Sequence, residues 1–144
     1  MDERDFLVLA RQLASATTQA AWPSSVSRAY YAAFHVAAHL LEALGFNLPK
    51  AERAHAYLWL RLANCSESSV QRAGHALNDL RGYGNRADYD LVRALRQPLA
   101  QTQVHEADRI IQLLDALNRQ QQDKIRDGIR EYERDVLKEV TWRA

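Results

Sequence analysis

The sequence predicts an all-α protein: an up-and-down bundle of four to five helices with a C-terminal helical extension. Three observations carry this. Five glycines and three prolines in 144 residues are too few turn-formers for a many-stranded β fold. Apolar residues recur at three- and four-residue intervals through most of the chain. Hydrophobic residues make up 47% of the composition, enough to fill one core, and the length suits one domain. Residues 1–118 are expected to form the bundle. Residues 119–144 form the extension, in the same domain or at a dimer or partner contact.

The first helix is expected from residue 2 to about 20, with Phe6, Leu9, Leu13 and Ala16 at helical spacing. Trp22-Pro23-Ser24-Ser25 breaks it, and either serine can cap the next helix. Helix two is expected over about 25–44, with a broad stripe through Val26, Ala29, Tyr30, Ala33, Ala37, Leu40, Leu41 and Leu44. Its alanines let neighbours approach closely, which makes it the central helix, and Gly45 stands where a left-handed terminating residue is wanted. Helix three spans about 51–63 and helix four about 67–81. Gly82-Tyr83-Gly84-Asn85 predicts an irregular backbone after helix four. Pro98 ends any helix begun at Asp90, so a long helix five is expected to start near Thr102. In the extension, Ile125, Ile129, Tyr132, Val136 and Val140 form a nearly heptad seam that needs a covering surface.

The formal net charge is +1, so attraction for phosphate must be local and not a property of the whole surface. Lysine supplies only Lys50, Lys124 and Lys138; the arginine-dominated remainder favours bidentate contacts to carboxylate or phosphate. The single Cys65 excludes an intrachain disulfide and fits a reducing compartment. The charged start of the chain lacks a signal-like apolar run, and the apolar stretch 29–46 is interrupted by His35, His39 and Glu42. A cytoplasmic protein with no membrane span is expected.

Two segments carry chemistry. Residues 27–39 read Ser-Arg-Ala-Tyr-Tyr-Ala-Ala-Phe-His-Val-Ala-Ala-His, and Arg28, Tyr31, His35 and Glu42 fall roughly on one helix face. They either pair and pack structurally or line a polar cleft. His35, His39 and Glu42 have a spacing that suits metal ligands, but no cysteine or aspartate cluster completes a site, so no metal and no cofactor is expected. Residues 80–90 gather Arg81, Asn85, Arg86, Asp88, Tyr89 and Asp90 at a helix end. That set is either an Arg–Asp-stabilised terminus or a phosphate or RNA site. In the second case arginine holds phosphoryl oxygens, asparagine donates hydrogen bonds and tyrosine stacks on a base.

Taken together, Arg-Ala-Tyr-Tyr-Ala on helix two and Asn-Arg-Ala-Asp-Tyr-Asp some fifty residues later resemble the HEPN superfamily. More narrowly, the pair is similar to its stand-alone prokaryotic members whose motif ends in Ala-Asp-Tyr, and the likeness covers roughly residues 3–117. The resemblance implies a helical bundle, commonly a homodimer whose motif regions face one cleft. It implies RNA or nucleotide as ligand. One form is a metal-independent endoribonuclease toxin neutralised by a minimal nucleotidyltransferase; the other is a non-catalytic module that pairs with such a partner. On the catalytic form, Arg81, Arg86 and Tyr89 carry the reaction, and Arg28, Tyr31, His35, Asn85 and Asp88 bind RNA or nucleotide. Two departures stand out: Gly84 occupies the usual position of the motif arginine, and no histidine follows before His105. An unperturbed tyrosine is a poor base at neutral pH, so Tyr89 does not replace that histidine chemically.

Overall fold

The computed structural model describes residues 2–17, 20–89 and 97–143, with the side chains of 84–89 excepted. Its elements in chain order are α1 (Glu3–Ala14), α2 (Ala21–Ala43), α3 (Arg53–Ala63), α4 (Ser68–Tyr89), α5 (Gln97–Asp115) and α6 (Arg119–Tyr132). A five-residue π-helical turn, Glu133–Leu137, continues α6. The protein is therefore a helical bundle, and among the described residues no helix is long and apolar enough to cross a membrane.

α2 is the central helix, packed against α1, α4 and α5. Ala29, Ala32, Ala33 and Ala37 are fully buried along it, so neighbouring backbones come close. Gly45 ends it in the left-handed region at φ 105°, where a Cβ would strike the Trp142 indole.

Several helix limits differ from the sequence expectation. α1 stops at Ala14, with the Ser15 amide donating back to Arg11. α2 begins at Ala21 and takes Pro23 into its first turn, where an amide has no intrahelical acceptor in any case. Neither serine caps it; Ser25 is buried and donates its hydroxyl to the Trp22 carbonyl at 2.7 Å. The same tolerance puts Pro98 in the first turn of α5, so that helix starts at Gln97 and not near Thr102. The Gln97 side-chain amide donates to the Ala14 carbonyl at 2.8 Å and so fastens this start to the end of α1.

The largest difference is α4. The Gly82–Asn85 stretch does not break it; the helix continues to Tyr89. A glycine costs a helix interior about 1 kcal/mol. Burial of Val70, Ala73, Leu77 and Leu80 against α2, α3 and α5 outweighs that cost. The expectation of a helix begun at Asp90 falls outside the described residues.

The C-terminal seam also breaks. Asn118 and Gln121 form a reciprocal capping box at the start of α6, and Ile125 and Ile129 are fully buried in the common core. Beyond them the heptad fails: Val136 is 65% and Val140 70% exposed, and the residue turned inward is Glu133. The π-turn shifts the inward register, and Lys138, left-handed at φ 56°, reverses the chain. The returning strand-like segment pairs with the end of α2 through Asn47 N to Thr141 O at 3.1 Å and Arg143 N to Gly45 O at 2.8 Å. Trp142 donates to the Leu44 carbonyl at 2.9 Å, beneath the Arg130 guanidinium.

Candidate functional site

On α2, Tyr31, Phe34, His35 and His39 lie along an open groove of about 440 Å³. Its opposite wall is the 48–55 segment leading into α3, with Pro49, Glu52 and His55. Residues four apart on a helix stack one above the other. Accordingly the Tyr31 and His35 rings are 6.2 Å apart and inclined by only 20°, and His39 follows at 6.4 Å from His35. Tyr31 is 43% exposed, so one ring edge of this ladder meets solvent.

Phe34 stands between two imidazoles. Its centroid lies 5.2 Å from His35 and 4.7 Å from His55. Tyr30, buried on the inner side, shares a hydrogen bond between its hydroxyl and His55 Nδ1. Burial pushes the Tyr30 phenol above its ordinary range and keeps it protonated. His55 is shifted the other way: burial first, then the positive Arg81 guanidinium, hold it below 6.5 and favour the neutral ring.

Arg81 reaches this cluster from α4. Its guanidinium donates to Glu52 Oε2 at 2.8 Å, and Glu52 in turn lines the groove. One arginine of the second motif therefore meets, through Glu52, the groove that Tyr31 and His35 of the first line from α2. Arg28 is exposed one turn before Tyr31 and is not among the groove-lining residues. The side chains of Asn85, Arg86, Asp88 and Tyr89 lie outside the described residues, although positions 81, 85 and 88 fall at successive turns of one face of the unbroken α4 helix.

The metal reading of His35, His39 and Glu42 finds no arrangement to support it. His39 Nδ1 is engaged with Glu3 at 2.8 Å, and among the described residues no group of three such side chains is placed to hold an ion. Residues not identified from sequence complete the site: Tyr30, Phe34, Glu52 and His55. Tyr30 carries the same apolar spacing as core residues. His55 and Glu52 sit outside both motifs, and only the packing of α3 brings them to α2 and α4. Comparisons with protein-family models, with curated proteins and with solved structures find no match to this chain.

Proposed function

We propose that the chain is a HEPN-like protein that binds RNA or nucleotide at the groove between α2 and the start of α3, with Arg81 of α4 at its edge through Glu52. The observation that carries this reading is the pairing of Arg81 with Glu52, which together with His55 lines the same groove as Tyr31 and His35. A guanidinium beside solvent-reachable rings matches what single-stranded RNA presents: a phosphodiester to be held by charge and flat bases to be stacked. In this reading the protein works in the cytoplasm as a homodimer of a toxin–antitoxin or defence system, with a minimal nucleotidyltransferase as partner.

Binding is the better-supported half. A second reading, metal-independent cleavage, gains from one feature: burial and the nearby Arg81 push His55 towards the neutral ring. A neutral imidazole can take the 2′-hydroxyl proton as that oxygen attacks the adjacent phosphate. The 5′-oxygen then leaves with its bonding electron pair and takes a proton from the imidazolium so formed or from water, a cyclic phosphate remains, and arginine stabilises the charged transition state.

The test is a short fluorescein-labelled single-stranded RNA incubated with purified protein in EDTA, read by anisotropy and by gel. Arg81→Ala combined with Arg86→Ala is expected to weaken binding about tenfold or more. Loss of two phosphate contacts should also make the salt dependence shallower by about 1 to 1.5 in log–log slope. Absence of any RNA binding by the wild type sinks the proposal; binding without cleavage leaves the non-catalytic module.

A further inference from the structure

Glu52 stands at the N-cap position of α3, where a side-chain oxygen normally accepts from the first free amides of the helix. It makes no such bond. Its carboxylate is directed to Arg81 instead, at 2.8 Å, although that side chain is 85% exposed and Arg81 is only 28% exposed. The residue before it, Ala51, is left-handed at φ 59°, a conformation that a Cβ disfavours. A relaxed backbone is thus set aside at the point where a carboxylate meets the motif arginine.

Carboxylate and phosphoryl oxygens bind a guanidinium in the same forked geometry. The Glu52 carboxylate therefore holds the place of an anion on the open side of Arg81, beside His55 and at the edge of the groove. We propose that this is the phosphoryl subsite of the bound RNA or nucleotide, and that Glu52 occupies it until the ligand displaces it. The inference rests on the binding function proposed above. Displacement needs little work, because an ion pair with one partner so exposed is weak.

A double-mutant cycle in the full-length protein tests this, with the same labelled RNA as probe. Removing the competing carboxylate by Glu52→Gln should tighten binding about two- to fivefold, the span of an exposed ion pair. Removing a negative charge anywhere favours RNA, so the second arm decides. In an Arg81→Ala background, Glu52→Gln should keep only that general gain, clearly smaller than in the wild type, because there is no subsite left to vacate. An equal gain in both backgrounds, or no gain in the wild type, overturns the competition and leaves the binding function standing. No RNA binding by either wild type or Glu52→Gln overturns both.

Discussion

At the scale of single residues, the groove depends on where one proton resides. His55 is disfavoured as a cation by burial and by Arg81, so its folded pKa lies below the unfolded 6.5. Between those two values the unfolded chain binds the extra proton and the folded chain does not. Stability therefore falls as pH drops through 6.5 towards the folded pKa, and it changes no further from this group below that. His55→Asn keeps an acceptor near Tyr30 and removes the titration. Chemical denaturation at several pH values should show the wild type losing more stability than this variant between neutral and mildly acidic pH; parallel curves would show that His55 is not desolvated as described. The residue scale is also where the sequence was least complete. Tyr31, His35 and Arg81 could be picked out because they fall in motif-like strings. His55 and Glu52 could not, because nothing in their local spacing marks them and their role arises from α3 crossing towards Arg81.

At the scale of elements, periodicity was a good guide to which segments are helical and a poor guide to where they stop. The helix ends depend on whether a proline amide would have had an acceptor, as at Pro23 and Pro98, and on how much apolar surface holds a glycine-containing stretch in place, as in α4. Glycine inside a helix has a further use that spacing does not reveal. A Cβ on Gly74 would come within 2.6 Å of the Ala63 backbone nitrogen and 2.9 Å of Leu62 Cβ. The α3–α4 contact is set by that missing methyl group. Gly74→Ala gains about 1 kcal/mol of helix propensity but forces backbone apart, at a cost of about 1–3 kcal/mol, with no flexible side chain to absorb it. The expected net effect is a loss of up to about 2 kcal/mol, measurable as a lower denaturation midpoint with an unchanged m-value. A stabilised variant would mean that α3 and α4 slide apart freely, and Arg81 would then be a poorly fixed ligand for the groove.

At the scale of the whole molecule, the C-terminal residues are joined to the bundle by a polar network as well as by Ile125 and Ile129. Arg61 on α3 and Glu133 in the π-turn form an ion pair at 2.8 Å with side chains only 4% and 1% exposed. Glu133 also accepts from the Thr141 amide at 3.0 Å and from its hydroxyl, and Tyr57 bonds the same hydroxyl. The Arg61 guanidinium lies 3.5 Å from the Tyr57 ring centroid. From sequence, Glu133 reads as one more surface charge beside an apolar seam; the π-turn reverses that, placing the acid inside and Val136 outside. Satisfied buried pairs contribute little net stability, but a buried charge without its partner is expensive. Glu133→Ala should therefore cost about 3–5 kcal/mol, a large share of the total for a domain of this size. The joint replacement Arg61→Met, Glu133→Leu should cost less than Glu133→Ala alone, since it leaves no orphaned charge. Urea unfolding of wild type, Glu133→Ala, the single variants Arg61→Met and Glu133→Leu, and their double variant decides the point. Equal and additive losses would mean that the pair is solvated and that the tail is held by Trp142 and the isoleucines alone.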